Sequence, residues 1–124
     1  MNKQEFIAAL EKFNLPKSEY AILCGGSLLL RGLRDTTADI DLTVSQKLAE
    51  EIDLFSAPKD DVGCYVPFEN CQMKVNLDEI EFDVVDGYQC ESLKSILAFK
   101  KKKNRPKDQK DIAKIEEYLN NLKS

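Results

Sequence analysis

The chain has 124 residues, enough for one domain with its own apolar core, and its 43% hydrophobic and 32% charged content is that of a folded globular protein rather than a disordered one. A net charge of −4 supplies no overall attraction to nucleic acid or to an anionic membrane, so any such contact must be local. There is no histidine, which excludes sites built on imidazole, from Ser-His-Asp and Cys-His nucleophiles to zinc-peptidase motifs.

From Lys3 to Phe13, Phe6, Ile7, Leu10 and Phe13 recur at helical spacing, which predicts an amphipathic helix ended by Leu15-Pro16. Charges break this start, so it does not read as a secretory signal, and no apolar run approaches the roughly 20 residues that span a bilayer. A cytoplasmic protein with no membrane contact is expected. Tyr20 to Cys24 reads as a central strand, apolar on both sides. Gly25-Gly26-Ser27 follows as a turn, then a short helix from Ser27 to Leu33, with Leu28 to Leu30 inward and Arg31 or Arg34 towards solvent or ligand. Asp35 to Thr37 forms a loop, and a second strand covers Asp39 to Val44. Ser45 suits the N-cap of a helix reaching about Leu54.

Beyond the loop at Pro58 to Asp61, three short strands are predicted: Val62 to Val66, Gln72 to Leu77 and Glu79 to Val85. A tight hairpin at Asp78-Glu79 should join the last two, with Gly87 ending the sheet. Glu91 or Ser92 to Lys103 reads as a helix, and Pro106 to Leu122 as the last one, with Ile112, Ile115, Tyr118 and Leu119 as its buried stripe. No repeat or linker divides the chain, which is read as a single domain over residues 1–124. Cys24, Cys64, Cys71 and Cys90 lack paired Cys-x-x-Cys spacing and are expected to be free or buried thiols in a reducing compartment, not a zinc site.

Two features carry chemistry. Gly25 and Gly26 stand where a strand gives way to a helix, so backbone amides there can approach an anion such as phosphate. In Ala38-Asp39-Ile40-Asp41-Leu42, strand periodicity puts Asp39 and Asp41 on one face. Adjacent carboxylates repel unless a cation lies between them, and hard oxygen ligands suit Mg²⁺ or Mn²⁺. Either feature alone has a plain explanation, a turn or two surface aspartates. Their order and short separation favour phosphoryl or nucleotidyl chemistry.

The segment GGSLLLRGLRDTTADIDL resembles the signature of the nucleotidyltransferase superfamily, in particular its small prokaryotic single-domain branch that includes AbiEii-type toxins. The likeness is carried by Gly25, Gly26, Ser27, Arg31-Gly32-Leu33, Thr37 and the Asp pair. It extends to Lys100, Arg105-Pro106-Lys107-Asp108 and Asp111-Ile112. The resemblance implies an α/β (α+β) minimal nucleotidyltransferase fold, a short mixed sheet flanked by helices. It implies that Asp39, Asp41 and a later carboxylate, Asp83 in preference to Glu81, line one cleft as catalytic and metal-binding residues. It further implies that Gly25, Gly26, Ser27, Lys100 and Arg105 bind the nucleotide. Arg105 and Lys107 have a second reading as RNA-backbone contacts, while Asp108 and Asp111 read as caps that pin the last helix. Leu28 stands where relatives often carry a smaller residue.

The implied activity is Mg²⁺- or Mn²⁺-dependent transfer of NMP from an NTP to a tRNA, another RNA or a protein, as one component of a toxin–antitoxin or phage-defence pair. The alternative is a non-catalytic antitoxin or regulatory module of the same fold, and a third is transfer to a small molecule such as an antibiotic. A cognate toxin or antitoxin, or a second copy in a homodimer, are the protein partners considered.

Overall fold

The computed structural model describes residues 1–122. Asn2 accepts the Glu5 N–H while the Glu5 carboxylate accepts the Asn2 N–H, a reciprocal cap that starts α1 (Lys3–Lys12). Its buried residues, Phe6 and Leu10, are one helical turn apart and face the sheet. After a 3₁₀ turn at Lys17–Glu19 come β1 (Tyr20–Ile22), α2 (Cys24–Leu30) and β2 (Ile40–Val44). Ser45 accepts the Leu48 N–H and so caps α3 (Gln46–Glu51). β3 (Tyr65–Phe68), β4 (Cys71–Lys74), β5 (Phe82–Val85) and β6 (Tyr88–Glu91) complete the strands. Ser92 accepts the Ser95 N–H to cap α4 (Leu93–Lys103), and a 3₁₀ turn at Pro106–Asp108 leads into α5 (Gln109–Leu122).

The strands form one six-stranded mixed sheet, ordered β3-β4-β2-β1-β6-β5. β2 runs parallel to β4 and antiparallel to β1, and β1 runs parallel to β6. The expected α/β class, a mixed sheet flanked by helices, is therefore what the chain adopts. Ile22, Leu42, Met73 and Cys90 are register partners in one cross-strand row, so they share a face. That face is fully buried beneath Phe6, Leu10, Leu29, Leu30 and Leu48. Each such side chain contributes about 1.5–3 kcal/mol by leaving water. α2 is buried on a second side too: Leu28 packs with Leu93, Ile96 and Ile115 of α4 and α5. Leu28 is thus a core residue between two layers. The other face of the sheet carries Asp41, Thr43, Gln72 and Lys74.

Several boundaries differ from expectation for physical reasons. α2 begins at Cys24, so Gly25, Gly26 and Ser27 are inside its first turn and not in a turn before it. α3 stops at Glu51, and Asp53, in a left-handed conformation, leads into a 3₁₀ turn at Leu54–Ser56. The expected hairpin at Asp78-Glu79 is absent. That segment is a 3₁₀ turn that carries the chain from β4 to the far edge of the sheet. The hairpin is instead β5–β6, turning at Asp86-Gly87, both with positive φ (53° and 85°), as a two-residue primed turn requires. β6 was not predicted, although Tyr88 and Cys90 alternate with Gln89 and Glu91 as a strand would. All four cysteines are free, and Cys64, Cys71 and Cys90 are buried. Among the described residues no helix is long and apolar enough to cross a membrane.

Candidate functional site

The C-terminal end of β1 and the N-terminal ends of β2 and β4 open onto two adjoining cavities of about 450 and 240 Å³. Cys24, Asp39, Asp41, Phe99 and Arg105 line both. Asp39 immediately precedes β2 and Asp41 lies within it, on the sheet face turned away from the apolar core. The predicted pairing of these two carboxylates is thus realised. Burial raises the proton affinity of Asp41, and repulsion by Asp39 and more weakly by Asp60 adds to it, while Lys74 opposes. Such a pair is relieved by a cation.

Lys74 and Gln72 were not singled out from sequence. Parallel pairing of β2 with β4 sets Gln72 opposite Asp41 and Lys74 opposite Thr43, bringing both side chains into the larger cavity. Asp60 also lines that cavity, where its carboxylate accepts the N–H groups of Val62 (3.1 Å) and Cys64 (2.8 Å). It therefore shapes the loop wall while adding negative charge.

A positively charged wall faces the aspartates. Arg34, Lys100 and Arg105 all line the smaller cavity with Asp39 and Asp41. Lys100 is only 7% exposed and sits between Asp108 (3.4 Å) and Asp111 (3.2 Å). Asp111 in turn holds Arg34 Nη2 at 2.8 Å, and Asp108 holds Arg105 through Nε at 2.7 Å and Nη2 at 3.2 Å. Hydrogen bonding from Arg105, aided by Lys100, pulls the Asp108 carboxyl down to about 2. Asp108 accepts the Arg105 N–H at 3.3 Å across the 3₁₀ turn that precedes α5, Asp111 binds Arg34 and Lys100, and together they fix the three cations at the cleft. The involvement of Arg34 follows from the fold, because the loop after α2 carries it back over Gly25.

The two glycines permit close approach and do not supply unusual backbone angles. A Cβ on Gly25 would lie 2.5 Å from Arg34 Nη1 and 2.8 Å from Thr37 Oγ1. One on Gly26 would lie 2.6 Å from Phe6 Cζ and 2.7 Å from Ile22 Cγ2. Gly25 borders the cleft and Gly26 belongs to the core. The residue with positive φ is Cys24 (49°), whose N–H donates to Glu91 Oε1 at 3.0 Å. Burial and the nearby Glu91 and Asp41 charges push the Cys24 thiol up to about 11, so it is not a thiolate near neutral pH.

Besides Gly26, two expected ligands are placed elsewhere. Ser27 is fully buried, donates to the Glu91 carbonyl at 2.8 Å and accepts from Arg31 Nη1. Its hydroxyl anchors α2 to the end of β6 and does not face the cleft. Asp83 lies on edge strand β5, three strands from β2. Its register partner is Cys90, so it points to the opposite face of the sheet from Asp41. There it accepts Arg31 Nη2 at 3.0 Å, in a separate cavity that Glu81 also lines. Neither Asp83 nor Glu81 joins Asp39 and Asp41, contrary to the expectation of one shared cleft.

Among the described residues no group of three or more acidic, cysteine or histidine side chains is arranged to hold a metal ion. Asp39 and Asp41 nevertheless fit Mg²⁺, which characteristically binds one or two carboxylates and completes its shell with water and substrate phosphate. Comparison with known protein families, with curated proteins and with solved structures finds no match for this chain.

Proposed function

We propose that this chain binds a nucleoside triphosphate with Mg²⁺ and transfers its NMP group to a hydroxyl acceptor. The observation that supports this reading best is the polarity of one cleft: Asp39 and Asp41 on one wall, Arg34, Lys100 and Arg105 on the other. A tetra-anionic polyphosphate with a divalent ion needs both signs of charge side by side, and few other small ligands do. The resemblance of the Gly25–Asp41 segment to nucleotidyltransferases points the same way.

In this reading Asp39 and Asp41 hold the ion, which would polarise the phosphate under attack. Arg34, Lys100 and Arg105 neutralise the phosphate oxygens, and they are already oriented by Asp108 and Asp111, so little reorganisation is needed on binding. The acceptor oxygen bonds to the α-phosphorus as the bond to the bridging oxygen of the β-phosphate breaks. Pyrophosphate leaves with that electron pair, and the acceptor proton passes to solvent. Asp83 has no part in this scheme. RNA, such as tRNA, and protein remain the acceptor classes, within a toxin–antitoxin or defence setting.

A second reading is favoured by a specific observation. Ser27 is committed to a structural bond, and the Glu91 carboxylate, not an open amide, meets the Cys24 N–H at the start of α2. A module that binds nucleotide without transferring it, in an antitoxin or regulatory role, accommodates both facts. Calorimetric titration of ATP, GTP, CTP and UTP with and without Mg²⁺, followed by an assay for pyrophosphate release, separates the readings. Mg²⁺-dependent binding with release supports the enzyme. Binding without release, with candidate RNA and protein acceptors present, supports the module, and no binding by any NTP overturns both.

A further inference from the structure

The cleft carries a feature that phosphate and metal binding leave unused. Among the described residues, two large apolar side chains that remain exposed, Phe99 (44%) and Val62 (83%), line the cavity containing Asp39 and Asp41. Phe99 stands off the buried stripe of α4, which runs through Leu93, Ile96 and Lys100. Its ring borders the smaller, cationic cavity as well. Lys103 Nζ and Arg105 Cζ each lie 5.8 Å from the ring centroid, within the range at which a cation is attracted to an aromatic face. Core formation does not account for a phenyl ring held at the mouth of a charged cleft.

On the nucleotide reading above, we propose that Phe99 is the platform on which the base of the bound nucleotide stacks, with Val62 forming the apolar wall of the same cavity. The charges divide the ligand. Arg34, Lys100 and Arg105 attract the polyphosphate, which leaves the flat, weakly polar base to the apolar part of the cleft. Phe99 is adjacent in sequence to Lys100 and touches Arg105 through its ring, so the surfaces for base and phosphate meet at the end of one helix. Every base has a π face, so stacking on Phe99 is tolerant of base identity and favours purines by their larger area. The cavity of about 450 Å³ is of the size that small-ligand sites occupy.

The chain has no tryptophan, so Phe99→Trp places a single indole reporter at the platform. With Mg²⁺, ATP should quench its emission saturably, whereas inorganic tripolyphosphate should compete for the cleft without quenching. Phe99→Ala should weaken ATP about tenfold, the size of one aromatic–base stack, and leave tripolyphosphate within about twofold, while Phe99→Tyr stays near wild type. Unchanged ATP affinity in Phe99→Ala, or an equal loss for ATP and tripolyphosphate, overturns the platform. Wild-type binding of tripolyphosphate as tight as that of ATP also removes it while leaving the anion cleft standing. Wild-type binding of neither overturns the nucleotide reading itself.

Discussion

Asp108 grips Arg105 side-on, with Oδ2 at 2.7 Å from Nε and Oδ1 at 3.2 Å from Nη2, and only 1% of Asp108 is exposed. A buried carboxylate so placed fixes a cation at the rim of the cleft before any ligand arrives. Asp108→Asn removes the charge but keeps the shape, so Arg105 loses its carboxylate partner and Lys100 keeps only Asp111. Nucleotide affinity should fall about tenfold by calorimetry, as for loss of one charge-assisted contact. The pH dependence has a definite sign. Folding lowers the Asp108 carboxyl from 3.8 to about 2, so its stabilisation is complete above about pH 4 and is lost as pH falls towards 2. Thermal melts across that window should be less steeply pH-dependent in Asp108→Asn than in wild type; equal slopes would remove Asp108 as the source.

Asp41 has the opposite sign. Burial and Asp39 raise its proton affinity on folding, so its ionised form disfavours the metal-free fold, and the penalty fades as pH falls through the raised value. Asp41→Asn should therefore raise the melting temperature of the metal-free protein at neutral pH, modestly because the side chain is partly solvated. It should also abolish Mg²⁺-dependent nucleotide binding. A variant that is less stable than wild type and still binds Mg²⁺–nucleotide would contradict both halves.

Gly25 and Gly26 are neighbours in α2, yet the same substitution should separate them. Alanine at Gly26 collides with Phe6 and Ile22 in a closed core, an overpacking that costs about 1–3 kcal/mol. Alanine at Gly25 meets Arg34 Nη1, at the end of a side chain that can move, and also Thr37 Oγ1 at 2.8 Å, so both must shift, and its higher helix propensity offsets part of that strain. Gly26→Ala should lower the melting temperature with nucleotide affinity retained below the transition. Gly25→Ala should lose less stability than Gly26→Ala and bind nucleotide more weakly, because Arg34 and Thr37 are displaced.

The legible parts of the chain were those governed by nearest neighbours. Strand alternation set Asp39 and Asp41 on one face, and Ser45 marked a helix start through its hydrogen bond to the residue three positions on. What sequence did not reveal depends on which strands meet. Lys74 and Gln72 reach the cleft only because β4 lies parallel beside β2, and Asp83 leaves it only because the short β6 intervenes between β1 and β5. Ser27 became structural through a similar non-local cause: α2 starts three residues earlier than its glycines suggested, which turns the hydroxyl towards Glu91. Pairing of this kind is decided by burial across distant segments, and no local pattern encodes it.

The placement of Asp83 can be tested directly against Asp39. In Asp83→Ala, Arg31, whose side chain is only 6% exposed, loses its carboxylate partner and keeps only neutral acceptors, the Ser27 hydroxyl and the carbonyls of Ser27 and Glu91. The pair joins a 64% exposed carboxylate to a nearly buried guanidinium, so its loss costs more than the about 0–1 kcal/mol of a fully exposed pair. Asp83→Ala should therefore melt below wild type and yet, below its own transition, bind Mg²⁺–nucleotide with affinity changed by less than about twofold. Asp39→Ala should be equally stable or more so, since it removes repulsion from Asp41, and yet lose Mg²⁺-dependent binding. The contrast is sharp because Asp83 and Asp41 face opposite sides of the same sheet. A common loss of binding in both variants would mean that β5 rearranges to bring Asp83 to the metal, for which Arg31 would first have to release it.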